Sequence, residues 1–182
     1  MTETSDRYRR VAEGFTARVE AVPADAWDRP SPCEGWTARD VVAHLADSAR
    51  MFLGRGGVEL PEGPSATEDP PASWAHTRDA VLGALEDPEV AGRSFETGMG
   101  EMTVEEMLGC FGVGDVLVHT WDLARSVGLD DTLDPEEVRR LLESMEPNDE
   151  MMRQGTAFGP KVDVPAGADE QTRLIAFTGR TP

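Results

Sequence analysis

Apolar residues recur along this chain at three- and four-residue spacing in five separate stretches, a period that predicts helices rather than strands. Tyr8, Val11, Ala12, Phe15, Val19 and Val22 form the first stripe, over 5–22, and Pro23 ends it. Thr37 with Asp40 reads as a capping box that opens a second helix over 37–54, turning Val41, His44, Leu45, Ser48, Met51 and Phe52 inward. Asp69-Pro70-Pro71 reads as an N-cap with proline in the first turn, and Trp74, Thr77, Val81, Leu82 and Leu85 give the third stripe; His76 falls off it, toward solvent. A second capping box, Thr103-Val104-Glu105-Glu106, opens a central helix that runs unbroken to Val127, with Gly128 as its stop. Asp134-Pro135-Glu136-Glu137 starts a fifth helix over 134–146, with Val138, Leu141, Leu142 and Met145 inward and Pro147 limiting it.

The connections carry less pattern. Residues 23–36 are proline-rich, and Trp27 and Trp36 are read as plugs for the mouth of a bundle. Residues 55–71 read as a surface loop able to cover a site, and 87–102 as a short extended hairpin or a plain loop. Beyond Pro147 the chain is punctuated by Gly and Pro, with one more helical stretch over 169–177. The pattern predicts an all-α protein: a helical bundle over 1–130 and a helical and irregular C-terminal extension over 131–182 packed on it, one domain in all.

Composition narrows the partners. With a formal net charge of −18 over 182 residues, the chain is a poor candidate for nucleic acid or anionic membrane surfaces, both of which need basic patches. No apolar run is long enough to cross a bilayer and the N-terminus lacks the apolar core of a signal peptide, which predicts a cytoplasmic protein. Two cysteines are too few for a disulfide framework and are read as reduced thiols.

The candidate chemistry lies where the helical pattern conflicts with itself. At 100° per residue, Val104, Phe111, Asp115, Val118, His119 and Asp122 share one arc of the central helix, so its core-facing stripe carries two carboxylates and an imidazole. A buried carboxylate is costly unless it is paired or metal-bound. Asp115 and His119 are four residues apart and can reach one cation from the same side, and His44 on the second helix is the best third ligand among three histidines. Two histidines and a carboxylate leave an open position, the pattern of catalytic zinc. Asp122, one turn on, reads as a support that accepts a hydrogen bond from a ligand imidazole or an arginine; a fourth ligand and a salt bridge to Arg125 are the alternatives. Cys33 reads as a packed loop thiol, against a redox thiol or an extra ligand, and Cys110, about 140° from Asp115 around the helix, faces elsewhere.

Three stretches carry a resemblance: Ser31-Pro32-Cys33-Glu34-Gly35-Trp36-Thr37 leading to His44, Gly114-Asp115 through His119-Thr120-Trp121-Asp122-Leu123-Ala124, and Arg173-Leu174-Ile175-Ala176-Phe177-Thr178-Gly179-Arg180. Together they resemble the actinobacterial metal-binding branch of the DinB/YfiT-like superfamily, related to the N-terminal domain of mycothiol-dependent maleylpyruvate isomerases. The resemblance implies a DinB-like four-helix bundle with a divalent metal, zinc or nickel, at positions that match His44, Asp115 and His119; the isomerase branch has Glu where this chain has Asp115. It implies a metal-dependent transferase or isomerase that uses a low-molecular-weight thiol of the mycothiol type on a small electrophile. A non-catalytic metal- or small-ligand-binding bundle and a zinc-dependent hydrolase are the alternatives. The expected partners are a small-molecule substrate or thiol, with a homodimer left open because bundles of this superfamily often pair.

Overall fold

The structure, a computed structural model, describes residues 2–98, 100–153 and 158–182. Four long helices form the bundle: α1 (Glu3–Ala21), α2 (Ala38–Arg55), α3 (Pro70–Glu86) and α6 (Val113–Val127). α1 and α2 lie across a diagonal, each packed against both α3 and α6. Short pieces fill the connection before α6: α4 (Pro88–Ala91), an antiparallel hairpin of β1 (Ser94–Thr97) and β2 (Gly100–Thr103), and α5 (Val104–Met107). Among the described residues the hairpin is the one pair of strands in an otherwise helical fold, and Met99 lies outside the described residues. α7 (Pro135–Met145), α8 (Asp149–Met152) and α9 (Glu170–Phe177) complete the chain.

Local chemistry sets the helix starts. Thr37 and Asp40 form a reciprocal capping box at α2, as Thr103 and Glu106 do at α5, while Asp69, Asp134 and Asp169 cap α3, α7 and α9 through their carboxylates. The core follows the predicted stripes. Phe15 and Trp74 meet edge-on, with centroids 4.6 Å apart, and the Trp74 indole N–H donates to Thr16 Oγ1 at 2.8 Å, so the largest buried ring keeps no unpaired polar atom.

Four expectations are corrected. The central helix is not continuous: α5 passes through a π-helical turn over Leu108–Gly112 before α6 begins. The extra residue makes the buried stripe step by five, from Leu108 to Val113, and Phe111, expected inward, is 39% exposed beside Phe52. Met51, also expected inward, is 49% exposed, because α2 buries a narrower face than its apolar residues span. His76 is half-buried rather than solvent-facing, its Nε2 lying 2.9 Å from Pro61 O, where it fastens the 56–69 loop.

The C-terminal extension is tied to the bundle by buried charge. Glu137 on α7 is 1% exposed and accepts from Arg7 at 2.8 Å and from Arg10 at 2.9 Å, both on α1. α9 packs on α7 and buries Leu174, Ile175, Ala176 and Phe177. Its end is a Schellman turn: Gly179 N–H donates to Ala176 O and Arg180 N–H to Ile175 O. Gly179 has φ +88° and would bring a Cβ within 3.0 Å of Gly159 backbone, so only glycine fits, and the turn sends Arg180 back toward α6.

Candidate metal centre

α2 and α6 are adjacent in the bundle, and polar residues of the two helices meet face to face. His44 Nε2 lies 3.2 Å from Asp115 Oδ1, and His119 Nε2, one turn further along α6, lies 3.4 Å from the same oxygen. One donor atom from each of His44, Asp115 and His119 falls within 4.8 Å of the other two. Asp115 and His119 both follow the π-turn, so their spacing survives the break that displaces Phe111.

The electrostatics match a cation site. Burial alone would raise the Asp115 carboxyl, yet hydrogen bonding with His119 and His44 holds it well below the usual carboxylate range. Burial would likewise depress His119, but Asp115, Asp122 and Cys33 outweigh it and lift the imidazole well above its ordinary value. Among the described residues, Asp115 Oδ2 nevertheless has no hydrogen-bond partner, although it is buried. A buried carboxylate oxygen with no donor, beside two imidazoles, fits a divalent ion. Ser48 Oγ sits 3.3 Å from His44 Nε2, and with Tyr8, Phe52, Leu108 and Gly112 it lines a narrow cleft leading to Asp115. Burial first, and the Asp115 charge second, push the Tyr8 phenol above its ordinary value, so it stays protonated.

Behind these three residues lies a further layer. Asp122 is fully buried, and its Oδ2 is 2.8 Å from His119 Nδ1, on the side of the ring away from Asp115. Arg180 donates to both Asp122 oxygens, Nε at 2.7 Å to Oδ1 and Nη2 at 2.7 Å to Oδ2. The arginine of Asp122 is thus Arg180, while Arg125 pairs with Asp131 at 3.1 Å. Burial raises and the His119 and Arg180 contacts lower the Asp122 carboxyl, with the lowering prevailing.

The 31–36 loop supplies two further residues. Trp36 N–H donates to Cys33 O at 3.0 Å across a tight turn in which Gly35 takes φ +77°. The turn seats Cys33 Sγ 3.4 Å from Asp122 Oδ2 and 3.3 Å from Arg180 Nη2. Trp36 lies over both imidazoles, 4.9 Å from His44 and 5.8 Å from His119, centroid to centroid. Cys33 therefore touches the site rather than plain loop packing, and Trp36 walls it as well as closing the bundle. Helical periodicity is silent about Cys33, Trp36 and Arg180, because two sit in a turn and one follows the last helix; their only signal was membership in the three motif stretches. Cys110 is exposed and separate from the site.

Comparison with known proteins agrees with this architecture. A protein of Mycobacterium tuberculosis, found in two strains and described as uncharacterized, is 29% identical over 182 residues, covering 96% of either chain. The crystal structure of a histidine-to-alanine mutant of the mycothiol-dependent maleylpyruvate isomerase superposes with a TM-score of 0.58 at 16% identity, covering 86% of this chain and 73% of that one, and so shares the DinB-like fold. The family model for the mycothiol maleylpyruvate isomerase N-terminal domain matches residues 8–124, which span all four bundle helices and the three facing residues, and the chain belongs to that family.

Proposed function

We propose that this protein binds one divalent metal ion through His44, Asp115 and His119 and acts as a metal- and thiol-dependent transferase or isomerase on a small electrophile. The observation that carries the reading is the convergence of two imidazoles on a carboxylate whose second oxygen is buried and unpartnered. Family membership supports the thiol, of the mycothiol type, as cofactor or co-substrate. Zinc suits the donor set, and nickel is the second choice.

A divalent ion held there supplies Lewis acidity, which favours the thiolate form of a bound thiol. The chain's own residues do the rest. Asp122 holds His119 from behind, Trp36 excludes water from the imidazole faces, and Ser48 and Tyr8 offer hydroxyls along the cleft beside Asp115.

Elemental analysis of untagged protein tests the reading: about one zinc or nickel per chain is expected, lost in His44→Ala and His119→Ala. Mycothiol is then titrated by calorimetry into metal-loaded and metal-free protein, with binding expected only to the loaded form. A wild type that takes up neither zinc nor nickel would remove the metal reading. Loaded protein that ignores mycothiol would leave a metal-binding bundle without the thiol chemistry.

A further inference from the structure

We propose that Arg180 is the resident cation of a second, thiol-containing ligand set, and that it keeps a divalent ion from being captured there. The proposal rests on the reading of His44, Asp115 and His119 as metal ligands. His119 belongs to two constellations at once. Its Nε2 faces Asp115, and its Nδ1 lies on the opposite side of the ring, 2.8 Å from Asp122 Oδ2. On that side Cys33, His119 and Asp122 each bring one donor atom within 4.8 Å of the other two. Sulfur, nitrogen and oxygen in this arrangement suit zinc or cobalt at least as well as the two-histidine set does, because a thiolate is the softer ligand.

What separates the two constellations is charge. Among the described residues, no basic side chain contacts Asp115 apart from the two histidines, both of which can act as neutral ligands. Asp122 and Cys33, by contrast, already hold a guanidinium, at 2.7 Å from the carboxylate and 3.3 Å from the sulfur. Arginine does not deprotonate in proteins, so its charge is permanent. It supplies the positive charge that the buried carboxylate requires, and an incoming dication would meet like charge in a poorly solvated setting. The guanidinium is not a loose surface group: Arg180 is 12% exposed, and its backbone is fixed by the Schellman turn that closes α9.

Without that charge, the buried Asp122 keeps only the His119 Nδ1 contact at 2.8 Å and the Cys33 thiol, and no permanent positive charge faces it. A thiophilic ion then has three ligands, with the Cys33 S–H releasing its proton to solvent as the sulfur–metal bond forms. Arg180 thus acts as a specificity-determining residue: it directs a divalent ion to the two-histidine face, where the open position adjoins the cleft.

Cobalt(II) absorption spectroscopy tests this, in a Cys110→Ser background so that Cys33 is the single thiol. With Arg180 present, bound cobalt is expected to show visible ligand-field bands without the near-ultraviolet thiolate-to-cobalt charge-transfer band. Arg180→Met should gain that band, further change of Cys33→Ser should abolish it, and Arg180→Lys, which keeps the charge, should lack it. A folded Arg180→Met protein that binds cobalt without the band would overturn the proposal, as would a thiolate band while Arg180 is present. Should Arg180→Met not fold, iodoacetamide labelling of Cys33 in the Arg180 protein gives the answer: equal rates with and without cobalt are expected, and protection by cobalt would overturn it. The two readings fail separately. An Arg180 protein that takes no cobalt sinks the two-histidine site, while the band in Arg180→Met still reports the second set.

Discussion

His119 is held from both sides by carboxylates, and the two contacts do different work. Asp115 shares the face that a metal would occupy, whereas Asp122 sits behind the ring and is itself clamped by Arg180. Truncating His119 to Ala removes a ligand, so zinc binding should be lost altogether. Asp122→Asn keeps the ligands but weakens the support, and zinc affinity should fall about 10- to 100-fold, measured by competition with a chromogenic chelator. The same substitution leaves the Arg180 guanidinium largely buried without its counter-charge, so thermal stability should drop by about 3–5 kcal/mol, seen by urea unfolding of the metal-free protein. A zinc affinity equal to wild type in a folded Asp122→Asn protein would show that the carboxylate serves only to neutralise Arg180.

At the scale of elements, capping decides where the helices start and explains part of the acid response. The Asp169 carboxyl is held below its usual range, first by the Thr172 backbone N–H that it caps, and the Asp40 carboxyl by the Thr37 hydroxyl and backbone. A carboxyl whose folded value is depressed stabilises the fold above its unfolded value, near pH 4, and that contribution fades as the pH falls through the folded value. Asp169→Ala should therefore cost about 1 kcal/mol at pH 7, and the difference from wild type should shrink below about pH 4, measured by unfolding at both pH values. The signals for these starts are local, within three residues, which is why the ends of α2, α3, α5, α7 and α9 were legible in the sequence. His44, Asp115 and His119 were legible for a related reason: each sits at a position where a helical period demands an apolar residue. The π-turn was not legible, since Leu108-Gly109-Cys110-Phe111-Gly112 carries no local signal that separates a π-turn from a glycine-weakened α-helix, and the wider turn is seen only where it packs against α1 and α2. Arg180 escaped for a different reason, its partner being 58 residues away and its direction set by a glycine turn.

For the whole molecule, the dominant feature is an excess of acid, 35 Asp and Glu against 17 Lys and Arg. Many of the arginines are already paired across elements, as Arg7 and Arg10 are with Glu137 and Arg140 with Glu3, so the surplus carboxylates mostly face one another and solvent. Their mutual repulsion favours the expanded chain and is screened by salt, the screening length falling from about 30 Å at 0.01 M to about 10 Å at 0.1 M. The melting temperature should accordingly rise with sodium chloride over that range. A divalent ion would act by two routes that this behaviour separates. As a screening ion it would help at millimolar concentration regardless of identity, and magnesium should match calcium. As a ligand of His44, Asp115 and His119 it would bind the folded chain alone and stabilise by RT ln(1 + [L]/Kd), about 2.7 kcal/mol when free metal is 100-fold above Kd. Micromolar zinc in 0.2 M sodium chloride should then raise the melting temperature of wild type in scanning calorimetry and leave His44→Ala unchanged, while both respond equally to salt. Equal zinc responses in the two proteins would mean that the ion is held by the acidic surface and not between the two helices.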